Sequence, residues 1–107
     1  MPPVKPTMRS KRRYVLFSVE CESQAGEQQV KRAAYDAILS FLGEYGSSLA
    51  GPKFIGFDQK RGLAVIRCSH SELEKVEAAL ALRAAIDGKK AAFRLKKVSG
   101  TIAGLSR

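Results

Sequence analysis

The chain has 107 residues, 45% of them hydrophobic, with 19 Lys and Arg against 10 Asp and Glu and a formal charge of +9. That length suits one domain with a single core, and no apolar run approaches the roughly 18 residues that a membrane span needs. No charged-then-apolar leader opens the chain, which points to the cytoplasm and away from secretion.

The excess charge is not spread evenly. Residues 1–14 hold five basic side chains and no acid, residues 88–107 hold six and no acid, and the stretch between has eight basic and ten acidic groups. A surface for a polyanion, built from the leader and the first and last strands, follows from that distribution, with a merely solubilising periphery as the plain alternative. Residues 1–12, with Pro2, Pro3 and Pro6, read as a flexible basic leader, and 13–107 as the domain.

The first strand is expected over Arg13 to Val19, with Val15, Phe17 and Val19 on one face and Tyr14 and Leu16 on the other. From about Gln28 the residues Val30, Ala34, Ile38 and Phe41, flanked by Ala33, Ala37 and Leu42, recur at helical spacing up to Gly43, a suitable helix-ending residue. Gly43 to Pro52 is too rich in glycine for a long helix and reads as an insertion holding a short turn, with Tyr45 and Leu49 as packing residues.

Phe54 to Phe57 and Leu63 to Cys68 form a hairpin around Asp58 to Gly62, where Gly62 is free to take a positive φ. Alternation puts Ala64, Ile66 and Cys68 under the helices and Leu63, Val65 and Arg67 on the open face. Ser69 and Glu72 match a capping box for a second helix with Leu73, Val76, Leu80 and Ala84 on its buried stripe, ended by Gly88. The last strand is Ala91 to Val98, Phe93 and Leu95 inward and Arg94 and Lys96 outward, before a turn or short helix from Ser99-Gly100-Thr101 to Leu105. The order β, α, β, β, α, β predicts an α+β, ferredoxin-like fold: a four-stranded antiparallel sheet with helices on one face and one insertion after the first helix.

Chemistry-bearing residues are few. Cys21 and Cys68 are far apart and read as reduced thiols, and His70, the only histidine, reads as a surface residue with no partner for base or metal work. An acylphosphatase-type enzyme on this fold needs an asparagine, and the chain has none. Arg61 to Cys68 keeps the spacing of the first signature of RNA-recognition-motif domains but has Leu63 and Val65 in place of the two stacking aromatics. An aliphatic open face favours burial against a protein, so Leu16, Leu63, Val65 and Arg67 are the candidate partner surface, a covering subunit being preferred over the chain's own tail.

Several blocks in order, Phe41-Leu42-Gly43-Glu44-Tyr45-Gly46, Leu49-Ala50-Gly51-Pro52-Lys53, Gly62 to Cys68, Ala78 to Leu82 and Val98-Ser99-Gly100-Thr101-Ile102, resemble the archaeal ribonuclease P protein component 2 family, related to a eukaryotic precursor-processing protein of ribonucleases P and MRP. The resemblance runs from Arg13 to Ile102. It implies a protein subunit, not itself catalytic, of the RNA enzyme that removes the 5′ leader of precursor tRNA. Its partners would be the catalytic RNA, the component 3 subunit and the other ribonuclease P proteins, with precursor tRNA met indirectly. It implies no cofactor in the protein, with Mg2+ held by the RNA. The candidate RNA-binding set is Arg9, Lys11, Arg12, Arg13, Lys53, Lys89, Lys90, Arg94, Lys96, Lys97, Ser99 and Thr101. The competing readings are a generic RNA binder and a protein-assembly module with no role in tRNA processing.

Overall fold

The computed structural model of the chain describes residues 11–106. The expected leader up to Ser10, with the candidate Arg9, lies outside the described residues. The order is β1 (Arg12–Cys21), α1 (Glu27–Ala50), β2 (Lys53–Asp58), β3 (Leu63–Ser69), a 3-10 turn (His70–Glu72), α2 (Leu73–Ala81), β4 (Ala85–Ile86), β5 (Lys89–Ser99) and α3 (Ile102–Leu105). The strands form one antiparallel sheet in the order β2-β3-β1-β5-β4. Its four long strands have the ferredoxin-like order, and β4 is a fifth strand that the sequence reading did not foresee.

Helices α1 and α2 cover one face. Val15 and Phe17 of β1 and Ala64, Ile66 and Cys68 of β3 point into the core with Val30, Ala34 and Ile38 of α1 and Val76 and Leu80 of α2. Phe17 meets Phe93 of β5 with ring centroids 5.1 Å apart, a tilted contact within the favourable range for aromatic pairs. Burial holds the Cys68 thiol neutral, its pKa raised to about 11, first by desolvation and then by the nearby Glu77 carboxylate. Both cysteines are free.

Gly43 does leave the helical region, at φ 77°, but the chain resumes helix beyond it, so the expected insertion is the second arm of a broken α1 that ends at Gly51 in the left-handed conformation. The Ser47 hydroxyl donates to the Ile38 carbonyl across the break, at 3.4 Å. Phe41, expected in the core, is half exposed, and Tyr45 and Leu49, expected to pack, are 79% and 49% exposed. The reason is the short reach of α2, which stops at Ala81 and leaves Phe41 and Leu82 lining an open groove between the helices.

Both ends of α2 correct further expectations. Ser69 precedes a 3-10 turn and its hydroxyl lies 3.1 Å from that of Ser71, so no capping box forms. Asp87 and Gly88, at φ 50° and 79°, are the two central residues of a tight turn between β4 and β5, with Ile86 paired to Lys89. Positive φ at both positions is what a two-residue hairpin of the primed type requires. Gln29 donates to Asp87 at 3.0 Å, fixing this hairpin to the start of α1.

Two irregularities set the sheet's shape. Between Leu16 and Phe17 the β1–β5 register skips, leaving Lys96 as an extra residue, and β2 carries a similar shift at Ile55. Leu95, expected inward, pairs with Phe17 beside the first bulge and is 37% exposed.

Candidate nucleic-acid interface

Directly paired residues project from the same side of a sheet, so the registers assemble the open face row by row. Tyr14 pairs with Arg67 on one side and Ser99 on the other, and Arg67 pairs with Lys53, which makes a row Lys53, Arg67, Tyr14, Ser99 across four strands. The next row is Gly56, Val65, Leu16, Lys97, and the one after it Asp58, Leu63, Ser18, Arg94. Arg12, paired with Ser69, continues the face beyond the first row.

The two candidate sets that the sequence keeps apart thus share one surface. Leu16, Leu63, Val65 and Arg67 come together as expected, but each is only partly exposed, and Arg12, Lys53, Lys97, Ser99 and Arg94 surround them. The large exposed apolar side chains lie chiefly on the other side of the molecule: Leu39, Phe41, Tyr45 and Leu49 of α1, and Leu82.

Charge is graded along the open face. At the Arg12 end, Arg12, Lys53 and Arg67 have no carboxylate within ion-pair distance among the described residues. At the far end, Glu20 holds Arg94 at 2.9 Å and Asp58 closes the row. The Arg67 Nε and the Ser18 hydroxyl are buried with no hydrogen-bond partner, and both belong to this face. Unsatisfied buried polar groups are uncommon in folded proteins and costly to keep.

Other candidates are scattered. Arg13 pairs with Cys68 and therefore points to the opposite side from Arg12, its guanidinium bonded to the Arg12 carbonyl at 3.0 Å. Lys11 is exposed, with its carbonyl accepting from the His70 amide at 2.6 Å, and His70 is a surface residue as expected. Lys89 and Lys90 sit at the β4–β5 hairpin, far along the sheet from Arg12. Ser99 accepts from the Thr101 amide at 3.2 Å and Thr101 from the Gly104 amide at 3.0 Å, so these two hydroxyls first of all build the cap of α3. Helix α3 packs on β5 and β1, with Gly104 so close to Ser99 that a Cβ there would lie 2.0 Å from its hydroxyl oxygen.

Among the described residues no three His, Cys, Asp or Glu side chains are grouped as a metal site, and no helix is long and apolar enough to cross a membrane.

Residues 13–107 match the Rpp14/Pop5 family. The chain is 42% identical to ribonuclease P protein component 2 of Thermococcus gammatolerans over 102 residues, covering 95% of this chain and 85% of that protein. It is 39% identical to the protein of the same name from Pyrococcus furiosus, with the same coverage, and 31% identical to that of Methanosarcina mazei over 97 residues, 91% of this chain and 82% of that one. Among solved structures, a chain of yeast ribonuclease MRP superposes with a TM-score of 0.66 at 17% identity, over 91% of this chain and 79% of that chain, which extends the likeness of fold.

Proposed function

The chain belongs to the Rpp14/Pop5 family, and from that premise we propose that it is a protein subunit of ribonuclease P that binds and stabilises the catalytic RNA while the RNA removes the 5′ leader of precursor tRNA. The observation that carries the RNA-binding part is the open sheet face, where Arg12, Lys53 and Arg67 stand around an apolar strip without acidic partners among the described residues. Cations of this kind release counterions from a dense polyanion when they dock, which lowers the cost of compacting the RNA. Hydrolysis belongs to the RNA and the Mg2+ that it holds, and the protein's share is positioning.

The exposed ridge of Leu39, Phe41, Tyr45, Leu49 and Leu82 supports a second contact, with the component 3 subunit or another protein of the same cytoplasmic particle. On this reading the protein contact lies on the helices, whereas the sequence favours Leu16, Leu63, Val65 and Arg67 of the sheet for it. The test is cleavage of precursor tRNA by the catalytic RNA and its other proteins, with and without this chain. Loss of cleavage on omission, restored by adding the chain back, is the expected result, and an unchanged rate would refute the reading.

A further inference from the structure

The first row of the open face is not only basic. Tyr14 is the one aromatic side chain that the registers place on this face among the described residues, since Phe17 and Phe93 pair in the core, Phe54 and Phe57 pack against the core, the Tyr35 hydroxyl accepts from the Phe54 amide, and Phe41 and Tyr45 lie on the helices. Its direct neighbour is Arg67, which among the described residues has no acceptor for its buried Nε–H and no carboxylate partner for its guanidinium. Lys53 follows in the same row, Arg12 stands one step along β1, and Ser99 and α3 close the β5 side.

We propose that Tyr14 is a stacking platform for one unpaired RNA base, that Arg67 donates to that nucleotide, and that Lys53 and Arg12 hold its flanking phosphates. The inference rests on the RNA-binding reading above and narrows it to a single-stranded element. A flat ring beside a guanidinium fork suits a base, which offers a π face and acceptor atoms together. Bases inside an A-form helix offer neither to a sheet, because they are stacked on one another and their major groove is too deep and narrow. An acidic protein segment would satisfy the cations but would leave the ring without a stacking partner. The sequence signal is displaced: the aromatics absent at Leu63 and Val65 of β3 are replaced by a single one on the neighbouring strand β1.

The experiment uses the full chain with two fluorescein-labelled probes, a ten-nucleotide oligouridine and a twelve-base-pair RNA duplex. Tyr14→Leu keeps the apolar bulk and removes the ring. It should weaken oligouridine binding about tenfold, leave the duplex within about twofold and leave the salt dependence unchanged. Tyr14→Trp should retain binding, and its indole, the only one in a chain without tryptophan, should lose fluorescence as oligouridine is added. Should Tyr14→Leu fail to fold, the indole signal decides alone. Wild-type oligouridine affinity in a folded Tyr14→Leu, or an indole that does not respond, would overturn the proposal. Lys53→Gln separates the two levels: if it weakens both probes while the Tyr14 variants are silent, stacking is wrong and RNA binding by this face stands. If Lys53→Gln and the Tyr14 variants are all silent, the RNA-binding reading of the face falls with it.

Discussion

Arg94 and Lys53 carry the same charge on the same face, yet they should contribute differently to RNA affinity. Arg94 is held by Glu20 at 2.9 Å, whereas Lys53 and Arg12 have no carboxylate within ion-pair distance among the described residues. A phosphate contact contributes about 0.7 to 0.9 to the slope of log affinity against log salt. Replacing Arg12 and Lys53 by Gln should therefore lower that slope by about 1.6. Between 50 and 200 mM salt, the variant would lose about tenfold less affinity than the wild type. Arg94→Gln should change the slope by less than about 0.3, because the cation it removes is already neutralised, and Glu20→Gln should raise it by freeing Arg94. Filter binding of the catalytic RNA at five salt concentrations compares the wild type with the double variant, Lys53→Gln, Arg94→Gln and Glu20→Gln. Equal slope losses for Arg94→Gln and Lys53→Gln would refute the argument that the Glu20 pair screens this end of the face.

Three further outcomes are expected. Phe17→Ala removes a fully buried ring and its contact with Phe93, and urea unfolding should show about 3 to 5 kcal/mol of lost stability with an unchanged m-value. Gly88→Ala forces a side chain to φ 79° in the β4–β5 turn and should cost about 1 to 2 kcal/mol in the same assay, whereas a neutral result would mean that the turn can change type. The Cys68 thiol has a folded pKa of about 11, above its ordinary value of 9.0, so its proton is bound more tightly in the folded state. That contribution is complete below pH 9 and fades as the pH rises toward 11. The stability difference between wild type and Cys68→Ala should therefore shift against the wild type between pH 8.5 and 10.5, and an invariant difference would refute the burial argument.

The elements that patterning made legible were those with enough residues to show a period. β1, β3 and the first arm of α1 each offer several alternating or helically spaced apolar positions, and, Phe41 apart, their inward faces are the ones expected. β4 has two residues, too few for alternation, and Ala84 and Ile86 fell in phase with α2, so the period ran on through a helix end. The Asp87-Gly88 pair is a readable hairpin signal there, but the continuing helical period makes Gly88 look like a helix stop. The Lys96 bulge left no trace in the sequence. Arg67, Tyr14, Lys53 and Ser99 sit on four strands, and only the three registers bring them into one row. The exposure of Phe41 depended on where α2 ended, a boundary that its own spacing did not reveal.

The borders of the sheet decide how this subunit can join others. On one side the last strand is β2, six residues long and interrupted at Ile55, with Lys53 and Asp58 at its ends; on the other it is the two-residue β4. The β2 border is short and broken by its bulge, which makes it a poor template for another chain's strand, whereas β4 pairs only with Lys89 and Lys90 and leaves the rest of the outer edge of β5 without a strand among the described residues. Further, the Phe54 amide of β2 is already spent on the Tyr35 hydroxyl at 2.7 Å. Association by strand addition, the route by which sheets grow into unwanted fibrils as well as into complexes, is thus hindered at the β2 border. On that side assembly is left to the broad surfaces, side chain against side chain, a contact that can be undone without unravelling any backbone pairing.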